Sequence, residues 1–397
     1  MIGFYKSTLI DLFTKVQAIQ NEPMRAVEQC YEIQQVLIKK IFYVEKRIQA
    51  CKLLISNLKS QIASRQTKEK AQEIKLKINQ LYQKIDEYKH LLNTLKSIGD
   101  ALAFTYISSW DIKPMAFKES AGFLSGKKGL QEERRILKVL FDKKIIAMLN
   151  DLTHTLRYGD ISIFLGDGLF KLIEVKSGSQ KEKKHLKQSE KLQKIETYLD
   201  TDVVDSLYAE GVKMARVNCH SIEEHHRDLL NDLINQALKS GFAYHEVEPG
   251  LAYIVDDARS LDKIKESIQT FGKTGSVPIL CMLNSAKYLN GGYYPFILTI
   301  KNPNAAYAFF VGEIILMVAI DFNVLADKLA SHNLIVEYLN KPDYALKITN
   351  TNVDKKFDQI YIANHFFGRL AFEFLSLDWF AEEIIYRVLS KTADEIE

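Results

Sequence analysis

Arg157-Tyr158-Gly159-Asp160-Ile161-Ser162-Ile163-Phe164-Leu165-Gly166-Asp167-Gly168-Leu169-Phe170-Lys171-Leu172-Ile173-Glu174-Val175-Lys176 is the stretch on which the reading of this chain turns. Gly166-Asp167-Gly168 is a hairpin signal between two apolar runs. If Leu165 and Leu169 flank a three-residue loop, the pairing is symmetric about Asp167 and sets Asp160 opposite Glu174. Side chains on a strand alternate faces, so Lys176 shares a face with Glu174, while Ile161, Ile163, Leu165, Ile173 and Val175 fill the other. Like charges facing each other destabilise a sheet, and carboxylates are costly to bury without a counter-charge. The arrangement therefore asks for a cation.

A divalent ion meets that need. The carboxylates of Asp160 and Glu174, with the backbone carbonyl of Val175 and several waters, make the hard-oxygen set that Mg²⁺ prefers and Mn²⁺ also accepts. A metal held there can polarise a phosphoryl oxygen and acidify a bound water. The Lys176 ammonium then steers that water and offsets charge developing on phosphorus. The chemistry expected is phosphodiester hydrolysis.

Working outward, a helix is expected around residues 130–148, short strands around 152–175, a helix at 181–198 and an apolar strand at 212–219, giving the order α-β-β-β-α-β. Asp followed by Glu-x-Lys on the hairpin of such a core resembles the PD-(D/E)XK nuclease superfamily over about residues 129–220. The resemblance implies a restriction-endonuclease-like fold and further site residues. One is a glutamate from the helix before the sheet. Of Glu132 and Glu133, Glu133 falls on the inward stripe, three after Leu130 and four before Leu137. Another is a glutamine on the following helix, for which Gln188 stands twelve beyond Lys176, although Leu192 occupies the place where relatives often carry a tyrosine. Gly159 stands where the family name has proline.

The helix after the hairpin repeats Lys184, Lys187, Lys191 and Lys194 at three- and four-residue steps, one basic face on which a phosphate backbone could lie, balanced by Glu182, Glu190 and Glu196. Arg157 is placed either to brace the site or to bind phosphate. The resemblance further implies a nucleic-acid substrate, DNA rather than RNA, and a role like that of restriction or phage-defence effectors; whether an activating partner protein licenses activity is left open by the sequence. The alternatives are a non-catalytic DNA-binding or assembly subunit that keeps the fold for its shape, and an RNA-cleaving, toxin-like nuclease.

On the N-terminal side, no proline or glycine interrupts residues 24–98. Leu37, Ile41, Val44, Ile48, Cys51, Ile55, Leu58 and Ile62 recur at steps of four and three, as do Ile74, Ile78, Leu81, Ile85, Tyr88, Leu92 and Leu95, which is a heptad seam. The polar stretch 64–70 separates the two helices, so they fold back as a coiled-coil hairpin with arms of about 45 Å. Packing or dimerisation is its expected task. The chain is thus expected to hold three domains: 1–100, the helical hairpin; 101–240, the nuclease-like core; and 241–397, a mixed α/β domain of unknown function. Strand-like runs in the last include 278–283, 293–300 and 308–311, before an amphipathic stretch at 367–389.

Composition limits the remaining classes. With 397 residues, 47% hydrophobic and 26% charged, disorder and fibres are excluded. A net charge of +3 is too small for a polycationic surface, so any basic site is local. Cys30, Cys51, Cys219 and Cys281 lack metal or disulfide spacing, which points to a reducing cytoplasm. The most apolar run, 305–320, contains Glu313 and is too short to span a bilayer, so no membrane segment is expected. His220, His225 and His226 lack a zinc-protease spacing, Asp256-Asp257 reads as a strand end, and Gly291-Gly292 as a loop.

Overall fold

Helix-favouring residues without a breaker have to form long helices, and they do. In a computed structural model, α1 (Lys6–Ile19) is followed by α2 (Val27–Ala63) and α3 (Lys68–Tyr106), which pack along each other. The structure describes residues 2–63, 67–116, 123–127, 129–175, 182–207, 210–211, 213–216, 218–257, 261–272, 277–288, 292–339, 341, 343–353 and 358–390. The seam is as expected. Leu37, Ile41, Val44 and Ile48 are sealed from solvent, as are Ile74, Ile78, Ile85, Tyr88 and Leu95. Thr67 caps α3 by accepting from the Lys70 N–H.

The boundary expected at residue 100 falls inside a helix. α3 continues seven residues past Gly99, to Tyr106, and its last part is buried throughout from Thr94 to Phe104. Gly99 is what permits this: a Cβ there would lie 2.1 Å from the Leu152 carbonyl oxygen, so only glycine lets the chain cross so close. Tyr106 then stacks on Phe164, with ring centroids 4.6 Å apart.

After α4 (Ser109–Ala116) come α5 (Leu130–Asp142), β1 (Ala147–Leu149), β2 (Ile161–Gly166), β3 (Leu169–Ile173) and α6 (Glu182–Thr201). The helix expected to reach residue 148 stops at Asp142. Lys143 caps it, and Lys144 turns the chain at φ 59°, so residues 147–149 become strand. β1, β2 and β3 form an antiparallel sheet in that order. α2 seals its free edge: the Gln34 amide donates to the Ala147 carbonyl at 2.8 Å and accepts from the Leu149 N–H at 3.1 Å.

The element order α-β-β-β-α-β is met only in part. β4 (Val203–Asp205) pairs with β5 (Lys213–Ala215) in a separate two-stranded sheet, outside the sheet of β1 to β3. The last strand is three residues long rather than the eight expected. The fold is mixed α and β, with long N-terminal helices and small antiparallel sheets.

The chain divides into two compact units, 1–201 with 205–212 and 290–298, and 202–204 with 213–289 and 299–397. The second holds α7 (Arg227–Ser240), β6 (Phe242–Glu248), β7 (Leu251–Asp256), α8 (Leu261–Thr270), β8 (Ile279–Met282) and α9 (Leu283–Ala286). The short α10 (Phe296–Thr299) leads to α11 (Pro303–Val311), β9 (Ile315–Ile320), α12 (Phe322–Ala330), β10 (Leu334–Tyr338), β11 (Tyr344–Asn350), β12 (Gln359–Ala363), α13 (Asn364–Phe372) and α14 (Leu377–Leu389). Its sheets run β6-β7-β9-β8 and β10-β11-β12. Where strands are expected, the run 293–300 holds only the one-turn helix Phe296–Thr299 and the run 308–311 is helical. At the second, Asn302 caps a helix with Pro303 in its first turn, and that local start overrides the strand-like composition. The amphipathic stretch 367–389 is two helices, divided where the Ser376 hydroxyl caps α14. Among the described residues no helix is long and apolar enough to cross a membrane.

Candidate active site

The hairpin register is the one the Gly-Asp-Gly turn predicts: Ile161 pairs with Ile173, Ser162 with Leu172 and Phe164 with Phe170. The turn itself differs. Asp167 and Gly168 form a two-residue loop at φ 51° and 77°, and a bulge at Leu165 takes up the extra residue. The paired ladder ends at Ile161 and Ile173; just past it Asp160 bonds to Ile173 and Val175, the residues on either side of Glu174.

The two faces are not used as expected. Ser162, Phe164 and Leu172, on the acids' own face, are buried and Phe170 is half-buried, while on the other face only Ile161 is buried, Leu165 is 53% exposed and Ile163, Ile173 and Val175 are half-buried. The packing of Tyr106 over Phe164 explains the inversion. The acids therefore lie on the drier side of the hairpin, where charge needs a partner most.

Asp160 is held from several directions. Its backbone N–H donates to the Ile173 carbonyl at 2.8 Å, and its carbonyl accepts from the Asn150 N–H at 3.0 Å. Its Oδ2 accepts from the Val175 N–H at 2.8 Å, which ties β2's entry to the Glu-x-Lys segment. Asn150 braces the same corner, donating to the Tyr158 carbonyl and accepting from the Ser162 hydroxyl.

The other Asp160 oxygen meets Lys127. The Lys127 Nζ lies 2.7 Å from Asp160 Oδ1, 2.8 Å from Asp151 Oδ2 and 2.9 Å from Glu133 Oε1. Three carboxylates thus converge on one ammonium. Burial works against the charge on Lys127, but Asp151, Asp160 and Glu133 outweigh it and raise its pKa. Glu133 is the glutamate that helix phase selects; it is 1% exposed, and burial raises its pKa despite Lys127. Glu132 points outward and pairs with Arg135.

Glu174 is half-buried after β3. Lys176 lies outside the described residues, as do the side chains of Lys184, Lys187 and Gln188, whose backbone is helical in α6. The basic face of α6 is not uniform. Lys191 is exposed, whereas Lys194 donates to the Ser206 carbonyl at 3.0 Å. Arg157 is buried, and burial lowers its pKa against the pull of Asp100 and Asp151. That enclosure fits bracing better than an open phosphate grip.

Sequence reasoning missed Lys127, Asp151 and a network behind them. Asp100, from α3, accepts from the Thr155 hydroxyl at 2.8 Å and from the His154 and Thr155 N–H groups, and sits 2.7 Å from His154 Nδ1. Burial pushes the Asp100 carboxyl up, but His154 and these donors hold it below its ordinary range. Lys127 stands in the turn before α5, and no periodicity singles out a loop residue.

Elsewhere, the histidine-rich segment 220–226 is not a surface helix but a strap before α7. There Glu223 pairs with Arg369 and with His225. Among the described residues, no group of three or more His, Cys, Asp or Glu is arranged to hold a metal. The donor set around Lys127 nevertheless suits a hard cation: three carboxylates, and a Glu133 Oε2 that is buried without a hydrogen-bond partner among the described residues. No protein-family model, curated protein or solved structure matches the chain.

Proposed function

We propose that this chain is a metal-dependent nuclease that hydrolyses phosphodiester bonds, with DNA as its substrate, in the manner of a restriction-type or phage-defence effector. The observation that carries this reading is the convergence of Glu133, Asp151 and Asp160 on one point at the mouth of the β2–β3 hairpin, where the Val175 N–H also bonds Asp160. Asp160, Glu133 and Glu174, with the Val175 carbonyl, are the groups that would hold Mg²⁺ or Mn²⁺. Such an ion supplies Lewis acidity toward a phosphoryl oxygen and a more acidic bound water. Lys176 would orient the attacking water and offset charge on phosphorus. Arg157 would hold the acids in place, and Lys191 would contact the substrate's backbone. Because the heptad seam is filled within the chain, a homodimer would use the arm's outer face, where Leu53, Leu54 and Leu76 are exposed.

A second reading has its own support: Lys127 already occupies the point on which the acids converge, as it would in a non-catalytic DNA-binding or assembly subunit. Purified protein incubated with Mg²⁺ or Mn²⁺ and with plasmid, linear and single-stranded DNA and RNA separates these readings. Asp160→Ala, Glu133→Gln and Lys176→Ala should each lower cleavage by at least about a hundredfold. Cleavage that survives Asp160→Ala and Lys176→Ala rejects the site. Binding of DNA without cleavage under any metal favours the subunit, and cleavage confined to RNA favours the toxin-like alternative.

A further inference from the structure

Glu133, Asp151 and Asp160 share one direct ammonium partner, Lys127, while Arg157 and Lys96 act on Asp151 only from farther off. Glu133 Oε2, on a side chain that is 1% exposed, has no hydrogen-bond partner among the described residues, so one oxygen of the cluster is left with nothing to bind. A divalent ion would carry twice the charge of the Lys127 ammonium and could bind that oxygen, which the ammonium leaves without a partner.

Lys127 also differs from the acids in where it comes from. Glu133 is fixed on α5, and Asp160 is locked by backbone bonds at the entry of β2. Lys127 sits in the short turn before α5, and its side chain keeps 29% exposure, an open route to solvent. That turn is tied to α2. The Ser125 N–H donates to Glu45 Oε2 at 2.7 Å, Glu45 being 1% exposed. The Gln49 amide reaches the Ser125 hydroxyl at 3.3 Å, and the Lys52 ammonium lies 5.4 Å from the Phe123 ring centroid.

We propose that Lys127 is a placeholder cation: it occupies the position of a divalent ion until that ion displaces it, and the hold of α2 on its turn through Glu45 sets how readily the exchange occurs. The inference rests on the reading of these acids as a metal site. In the exchange, the three ammonium–carboxylate contacts break, metal–carboxylate contacts form, and Lys127 leaves still protonated into water. Competition of this kind lowers apparent metal affinity in proportion to the small fraction of molecules in which Lys127 is unseated.

Calorimetric titration of the full chain with Mn²⁺ tests this without any substrate. Lys127→Met should bind Mn²⁺ at least about tenfold more tightly than wild type, Glu45→Gln should bind more tightly by a smaller factor, and Asp160→Asn should lose binding. In wild type at fixed pH, acetic anhydride should label Lys127 slowly without metal and several-fold faster at saturating Mn²⁺, a readout that stands even if Lys127→Met does not fold. If Lys127→Met binds no tighter while Asp160→Asn abolishes binding, or if labelling ignores Mn²⁺, the placeholder role is wrong and the metal site survives. Unchanged affinity in Glu45→Gln removes the role of α2. Absence of Mn²⁺ binding in both wild type and Lys127→Met sinks the placeholder and the metal site together.

Discussion

Glu133 and Glu132 are adjacent in the sequence and opposite in fate. Helix phase places Glu133 against Lys127 and Glu132 beside Arg135 in solvent. Glu132→Gln should therefore leave nuclease activity within about twofold of wild type, since exposed pairs contribute little, in the same assay in which Glu133→Gln abolishes it. Asp100 makes a prediction of another kind. Its pKa is lower folded than unfolded, so its contribution to stability is complete above the unfolded carboxylate value of about 4 and is lost as pH falls through the depressed folded value. Asp100→Asn should cost about 3 kcal/mol at pH 7, because it leaves His154 and several donors poorly matched. Urea denaturation should find that deficit shrinking below about pH 4. A deficit of equal size at pH 3 and pH 7 would mean that the charge of Asp100 is not what holds the 153–155 turn.

At the scale of elements, α3 is both half of a coiled coil and a wall of the site, and Gly99 joins the two roles. Gly99→Ala drives a methyl group into the Leu152 carbonyl and should destabilise the fold by about 1–3 kcal/mol or more, seen as a lower thermal midpoint. The same change displaces the 150–152 turn that carries Asp151, so activity should fall further than stability alone explains. Gln34→Ala removes two hydrogen bonds from the edge of β1 and should cost roughly 2 kcal/mol. Hydrogen exchange should then speed up selectively at Leu149, whose N–H loses its acceptor. The hairpin register and the heptad seam were legible because each is a local rule: a turn sets a register, and a helix period sets a stripe. The bulge at Leu165 was not legible, because it depends on how the Gly-Asp-Gly turn closes.

For the whole molecule, the three domains expected from sequence are replaced by two units, and the first borrows residues 290–298 from far along the chain. In that unit the Gln17 amide donates to the Ile297 carbonyl at 2.7 Å, and Tyr294 packs edge-on against Phe104 at 5.9 Å. A chain ending at residue 240, the boundary expected for the nuclease-like core, lacks this segment. It should melt several degrees below the first transition of the full protein, by loss of about 1–2 kcal/mol of packing and hydrogen bonding. A synthetic peptide of residues 290–298 should restore part of the difference. An unchanged midpoint would show that the segment adds nothing to the unit.

The sequence by itself determined the features that short-range geometry dictates: the helical hairpin, the β2–β3 register, and the choice of Glu133 over Glu132. Only the tertiary structure decided that Lys127 and Asp151 join those acids, that the buried side of the hairpin is the acid side, and that a late segment completes the first unit. Periodicity constrains residues a few positions apart. The gathering of charges from a turn, a helix and two strand ends depends on how separate elements close on one another, which no local pattern records.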